Sequence, residues 1–397
     1  MEKLSQLLSE RVLLSDGSMG ALLASKGYAV PCPDELASTE PQVIKNIHRA
    51  YLDAGADIII ADSFGATEPV LAHKGRAGKS AEFTRAAVAL ARQTAKDTSL
   101  VAVDMGPTGE FIYPVGARSF DEVYGWFYTQ ACAARDAGAD FAFIETQTDL
   151  AECRAACLAA RDAGLEAIAS FSVSEKGRTL TGASVEACAV TLEAAGASAV
   201  GINCSTGPEA MPASVRRMRK VTALPIAVQP NAGLPVTHAD GSVTYPCTPA
   251  EFENGMREIL CAGAGLIGGC CGTTPEHVAR IKPLAENARV PERVSEGEYL
   301  SSARECFAAD AALACPENVS DPEDAYDADE DTTVLVVSDS EFTPDMLLEL
   351  ASYTKLPVLI EGTDESKTAA LLRVYPGRAA VKGCPQAAAK YGAYIVK

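Results

Sequence analysis

No apolar run in this 397-residue sequence approaches the ~20 residues that a membrane-crossing helix needs. The opening stretch, MEKLSQLLSERVLL, lacks the charged-then-apolar layout of a secretory signal, so a cytoplasmic protein with no membrane partner is expected. Positive charge is in short supply too. Lys and Arg number 34 against 53 Asp and Glu, and the resulting net charge of −19 argues against nucleic acid or an anionic membrane surface as a partner. A disulfide framework is also missing: the 13 cysteines are odd in number, scattered, and mostly on predicted helices, which fits reduced thiols in a cytosolic enzyme.

What is present is a regular alternation of short apolar runs with Ala-rich amphipathic stretches. Strands are predicted at 12–15, 57–61, 100–103, 141–144, 166–170, 199–202, 225–228 and 265–267, with helices between them, for example 42–54, 81–96, 120–137 and 150–163. Several helices end in a near-repeat such as Asp53-Ala54-Gly55-Ala56 or Asp136-Ala137-Gly138-Ala139, where glycine suits the left-handed residue that closes a helix. Eight such units over about 290 residues have the size and grammar of a (β/α)8 TIM barrel. The runner-up, an open doubly wound sheet, is weakened because no Gly-x-Gly-x-x-Gly follows the first strand. In a barrel the chemistry gathers at the C-terminal strand ends. Here those ends carry Asp16-Gly17-Ser18-Met19, Asp62-Ser63-Phe64-Gly65, Asp104-Met105-Gly106-Pro107, Glu145-Thr146, Asn203-Cys204, Gln229-Pro230-Asn231 and Gly269-Cys270-Cys271.

The last of these is the most specific. Adjacent cysteines make an awkward disulfide, because neighbouring Cα atoms lie ~3.8 Å apart. Flanked by glycines that permit unusual backbone angles, Cys270 and Cys271 can turn both sulfurs to one side. Cys204 ends another strand in the same way. Three thiolates with one open position are what a catalytic zinc needs when its fourth ligand is the substrate; buried structural thiols are the alternative. Cys132, Cys153, Cys157, Cys188 and Cys261 fall on helices and read as packing residues. His73 and His277 are assigned loop or surface roles, since a closed Cys3His site would leave no place for a substrate. Asp16 and Glu145 are either ligands for a cationic group or helix caps in strand-to-helix loops.

Asp16-Gly17-x-Met19-Gly20, Gly106-Pro107-Thr108-Gly109, Ile144-Glu145-Thr146, Asn203-Cys204, Pro230-Asn231-Ala232-Gly233-Leu234-Pro235 and Gly268-Gly269-Cys270-Cys271-Gly272 together resemble the homocysteine S-methyltransferase family. The likeness is nearest to the N-terminal homocysteine-binding module of cobalamin-dependent methionine synthase, and it covers roughly residues 8–290. It implies Zn2+ on Cys204, Cys270 and Cys271, with the homocysteine sulfur in the fourth place. It also implies that Asp16 and Glu145 face the substrate amino group, with Gly17, Met19, Thr146 and Asn203 completing the substrate-binding set. Where the family reads Thr-Asn-Thr-Phe-Gly-Ala, this chain has Ala61-Asp62-Ser63-Phe64-Gly65-Ala66. The expected activity is methyl transfer to homocysteine, giving methionine. No cobalamin-binding module is read in the chain, so the donor is expected to be separate: a methyl-corrinoid on a carrier protein. Alternatives are S-methylmethionine or betaine as donor, or a non-catalytic thiol- or zinc-binding barrel.

Past residue 290 the composition changes. The barrel is assigned to residues 1–300 and an acidic linker to 301–331, because 317–331 is dense in Asp and Glu and reads as flexible. Residues 332–397 follow as a small α/β module that resembles part of a pterin-binding barrel, without that family's Asp-Ser and Asn-Ser strand ends. A docking or dimerisation role is expected for it, not folate binding.

Overall fold

The protein is described here by a computed structural model, covering residues 3–95, 98–238, 243–292 and 294–396. Eight parallel strands form its first sheet: β1 (Leu13–Leu14), β2 (Ile58–Ile60), β3 (Leu100–Met105), β4 (Phe141–Gln147), β5 (Glu166–Phe171), β6 (Ala199–Asn203), β7 (Ile226–Gln229) and β8 (Ala264–Ile267). Each pairs with its sequence neighbour, and β1 pairs with β8. A bridge between Ser15 and Ile58, with Asp57 N–H donating to the Leu14 carbonyl at 2.8 Å, joins β1 to β2 and closes the barrel. The expected (β/α)8 barrel is therefore the fold, with its eight strands where the apolar runs placed them.

Two apolar layers hold it. Inside, Leu13, Ile58, Ala102, Phe141, Phe143, Ile168 and Leu266 fill the barrel, and the N-terminal helix Leu4–Glu10 inserts Leu4 and Leu8 into the same cluster. Glu166, at the start of β5, accepts from Leu4 N–H at 3.0 Å and pins that helix across the N-terminal end. Outside, the other faces of the strands meet helices rich in Ala and small thiols. Cys153, Cys157 and Cys188 are buried there, on Leu150–Asp162 and Val185–Ala195, and burial pushes their pKa values up, as suits inert packing groups. With one end plugged by leucines, the cavity can only open at the other, where the polar strand ends are. Among the described residues no helix is long and apolar enough to cross a membrane.

The structure differs from expectation after residue 300. The stretch taken for a flexible linker is folded. Tyr299–Ser301 pairs antiparallel with Cys306–Ala308, and Pro316–Asn318 is a strand paired parallel to Val334–Ser338. The acidic residues explain how: they serve as acceptors for local backbone N–H groups. Asp324 takes Ser320 and Asp321 N–H at 2.8 and 2.9 Å, Asp321 caps the turn Pro322–Tyr326, and Glu317 receives Asp329 N–H at 3.0 Å. The second sheet thus has five parallel strands in sequential order, continuing through Val358–Glu361, Ala380–Lys382 and Tyr394–Ile395.

This second unit sits on the barrel's flank, against helices Phe120–Asp136, Leu150–Asp162 and Val185–Ala195. Arg154, only 2% exposed, donates at 2.6 Å to the carbonyls of both Leu372 and Arg373, the last turn of helix Glu365–Val374. Those carbonyls have no partner within their own helix, so the guanidinium caps them. Arg373 returns to Asp121 at 2.7 Å and lies over the rings of Phe120 and Tyr124. Thr191 and Ser301 hydroxyls meet at 2.9 Å.

Candidate active site

The C-terminal end of the barrel opens into a cavity of about 820 Å³. Cys204, Cys270 and Cys271 lie on its wall, half-buried, with their three sulfurs all within 4.8 Å of one another. Cys204 and Cys271 Sγ are 3.9 Å apart. Three sulfurs on a tetrahedral ion with ~2.3 Å bonds would stand ~3.8 Å apart, so the cluster suits zinc with little adjustment. The thiols share their protons: hydrogen bonds from Cys204 and Cys270 hold Cys271 as a thiolate, at about 3, while the same contacts push Cys270 up. Such a group of soft donors favours a cation at its centre.

The backbone that aims these sulfurs is unusual and well braced. Cys204 has φ +58°, a conformation non-glycine residues rarely adopt. It is held by its own N–H donating to the Gln229 carbonyl at 3.0 Å and by Thr206 N–H donating back to it at 2.7 Å. Strain of this kind persists only where surrounding contacts impose it. The Cys270–Cys271 loop is held by the segment after β7. Cys270 N–H reaches the Pro230 carbonyl at 2.9 Å, Cys271 N–H reaches Asn231 Oδ1 at 3.1 Å, and Ala232 N–H returns to the Cys271 carbonyl at 2.9 Å. Gly272 has φ +78°, and a Cβ there would strike the Tyr245 ring at 2.3 Å, so only glycine brings this turn under the tyrosine.

Around the sulfurs stands a ring of carboxyls. Asp16 is 3% exposed and its Oδ2 accepts Ile60 N–H at 2.9 Å. Glu145 Oε2 accepts Asn203 Nδ2–H at 2.6 Å, and burial pushes its pKa up to about 7. Neither is a helix cap. Ser18 caps Met19–Ser25 and Asp149 caps Leu150–Asp162, leaving both carboxyls free to face the cavity. Gly17, Met19 and Thr146 line it as well. Asn203 does not. It is wholly buried on the inner face beneath the lining residues, where its Oδ1 accepts Thr146 N–H and Ser170 Oγ–H, both at 2.8 Å, and its amide nitrogen orients Glu145. Its place in the expected substrate-binding set is therefore indirect: the fourfold hydrogen bonding of a buried amide leaves nothing to offer a ligand.

Other contributors were visible as strand-end residues but not as site residues. Asp62, Asp104, Gln229 and Phe64 line the cavity, and so do Asp34 and Lys74, paired at 3.2 Å. Burial raises Asp62 to about 8. Thr273 Oγ–H closes the cysteine loop onto the Cys270 carbonyl at 2.6 Å, and buried Tyr51 ties Ser18 and Thr273 carbonyls together at 3.0 and 3.2 Å. Tyr245, from the long connection after β7, hydrogen-bonds Cys271 through its hydroxyl; no periodicity or motif marks it. His277 is not near the sulfurs: its Nδ1 takes Thr274 N–H at 3.2 Å at a helix start, and its ring packs edge-on to Phe252.

Comparison with known proteins agrees with this arrangement. The methionine synthase of Mycobacterium tuberculosis is 32% identical over 310 residues, which is 73% of this chain and 26% of that protein. The methionine synthase of Mycobacterium leprae is 32% identical over 298 residues, 70% of this chain and 24% of that protein. The chain thus spans about a quarter of the length of these curated relatives. Among solved structures, the metallated form of the homocysteine methyltransferase MmuM from Escherichia coli superposes with a TM-score of 0.60 at 26% identity, covering 70% of this chain and 98% of that one. Its oxidized form gives 0.61 at 27% identity, covering 72% and 100%. A model of the family described as homocysteine S-methyltransferase matches residues 13–285, from β1 to the helix after β8, and so takes in all three cysteines and both carboxyls. This chain belongs to the homocysteine S-methyltransferase family.

Proposed function

We propose that the protein is an enzyme that transfers a methyl group to the sulfur of homocysteine, yielding methionine, at a zinc ion held by Cys204, Cys270 and Cys271. The observation that carries this reading is the cluster of three half-buried sulfurs on the wall of a carboxyl-lined cavity, with one side left open to it. A free alkyl thiol has a pKa of ~8.5 and is mostly unreactive thiol at neutral pH. Zinc bound to the three cysteines would keep the incoming thiol deprotonated while leaving a sulfur lone pair for attack on a methyl group.

The chain's own residues supply the rest. Asp16 and Glu145 take the substrate ammonium, and Asn203 fixes Glu145 against them. Gly17 and Met19 form the adjoining wall, with Thr146 beside Glu145. Tyr245 donates to Cys271 and steadies that ligand from outside, as partners of metal-bound groups commonly do. Phe64, 41% exposed at the cavity wall, offers an apolar edge to a donor.

The donor we favour is a methyl-corrinoid on a separate carrier, which a cavity far larger than an amino acid would admit. A second reading has one observation behind it: Asp34 and Asp62 add acid to the wall, which suits a small cationic donor such as S-methylmethionine or betaine. Residues 1–300 are the proposed catalytic barrel, and the unit from about residue 300 onward, whose Leu300, Ala309 and Ala312 pack on the second sheet, is a flank module without assigned chemistry.

The test is metal analysis with single-turnover methyl transfer. Purified protein should carry one zinc per chain, and Cys271→Ala should lose most of it together with activity, while the fold persists because the barrel core does not touch the ion. Full zinc occupancy in Cys271→Ala would sink the assignment. Turnover with S-methylmethionine or betaine but not with a methylated corrinoid would transfer the donor assignment to the second reading.

A further inference from the structure

The cavity holds more acid than the proposed substrate requires from Asp16 and Glu145 alone. Asp104, near the end of β3, pairs in register with Phe143 of β4, so its side chain and that of Glu145 two residues further on point to the same, inner face. The two carboxyls hydrogen-bond each other, and Asp104 also feels the charges of Asp16 and Asp62. It is 8% exposed and lines the cavity, and apart from the bond shared with Glu145 its Oδ1 has no hydrogen-bond partner. Among the described lining residues the one cation is Lys74, and Asp34 already engages it at 3.2 Å. A buried acid whose one hydrogen-bond partner is another acid, set among like charges, is costly unless a cation comes to it.

Building on the proposed reading of the cavity as a site for an amino-acid thiol, we infer that Asp104 is a third substrate-contacting carboxyl. With Asp16 and Glu145 it makes a three-sided seat for the α-ammonium and sets the preference for a thiol that carries one. An ammonium has three N–H donors and one positive charge. Asp16, Asp104 and Glu145, from the ends of β1, β3 and β4, approach from three separate strands, so each can take one donor. The arrangement reads the amino group rather than the thiol, which the cysteine side of the cavity takes. An analogue without the amino group would leave three buried carboxyls facing one another, and that is a strong basis for rejection.

The test uses calorimetric titration of the full zinc-loaded protein with L-homocysteine and with 4-mercaptobutanoate, which keeps the thiol, chain and carboxylate but lacks the amino group. Wild type should prefer homocysteine. Asp104→Asn should weaken homocysteine about tenfold to a hundredfold, the worth of a charge-assisted contact, and change 4-mercaptobutanoate by less than about threefold. Asp104→Ser, which removes the carboxyl without adding an amide, should show the same narrowing of preference, and Asp104→Glu should restore part of it. Equal loss for both thiols, or an unchanged preference in variants that keep their zinc and their thermal unfolding, overturns the inference. Wild-type protein that binds neither thiol would overturn the underlying substrate reading instead.

Discussion

Glu145→Gln separates binding from folding at this site. Glu145 accepts one short hydrogen bond, at 2.6 Å from Asn203, and exchanges another with Asp104. Glutamine can keep both: its carbonyl oxygen faces the Asn203 amide, and its NH2 turns to Asp104. The helix that follows is untouched, because Asp149 caps it by accepting Glu152 N–H at 2.9 Å. Stability should therefore hold, or rise slightly as a buried acid is neutralised. What disappears is a charged acceptor for the substrate ammonium. A hydrogen bond to a charged group is worth about 1.5–3 kcal/mol, so KM for homocysteine should rise roughly tenfold to a hundredfold. Zinc content should not change, since none of the three sulfurs loses a covalent or backbone restraint. The assay is steady-state kinetics over a homocysteine series, run beside metal analysis and thermal unfolding. A variant that melts early at unchanged KM would show that Glu145 serves the fold and not the substrate, and the placement of the ammonium would have to be abandoned.

Two other substitutions probe what lies around the site. Arg154→Met removes the buried guanidinium that caps Leu372 and Arg373 carbonyls; leaving two acceptors unpaired costs about 2–5 kcal/mol in all, and hydrogen exchange should quicken in residues 316–396 while homocysteine KM and zinc stay the same. Uniform exchange across barrel and flank unit would mean the guanidinium does not hold the two together. Asp62→Asn tests the buried acid just after β2: because the folded protein holds the Asp62 proton up to about 8, wild type loses stability as pH rises from about 4 to 8, and the asparagine variant should not. The gap between the two unfolding curves should thus open with rising pH, on the order of a few kcal/mol by pH 8, and a gap that stays constant would show that Asp62 ionises freely in the folded state.

The barrel was legible because its signals are local and repeated. Each strand is a run of two to seven mostly apolar residues with a polar loop after it, and five of the eight follow a helix closed at a left-handed glycine, Gly55, Gly138, Gly164, Gly196 or Gly263. The cysteines were legible for a different reason: a vicinal pair between glycines has few structural uses. The flank unit misled on one point only. Glu317, Asp321 and Asp324 look like a solvated charge run, yet each accepts backbone N–H groups from a neighbouring turn, and composition does not distinguish an acid that repels from one that caps. Its docking on the barrel was invisible for the same kind of reason. Arg154 sits in an ordinary Ala-rich helix, and nothing local shows that its partners lie 218 and 219 residues further on.

The substrate side of the cavity shows where such reading stops. Asp16, Asp62, Asp104, Glu145 and Asn203 all stand at strand ends, and a strand end alone says only that a residue is near the mouth. Whether it faces the cavity or the wall behind depends on register between neighbours, because side chains alternate and one step of slip reverses every assignment. Asp104 faces inward because it lies opposite Phe143, a residue of the interior layer. Asn203 lies in register opposite Gln229, which lines the cavity, so it shares the inner face; it is lost to a ligand because its amide is wholly buried and taken up by Glu145, Thr146 and Ser170. The left-handed turn at Cys204 then reverses the alternation by one residue and brings the sulfur out. A β6 with ordinary backbone angles at that point would present a different residue to the cavity. The strained residue at the end of β6, more than the motif around it, is what puts a third sulfur beside Cys270 and Cys271.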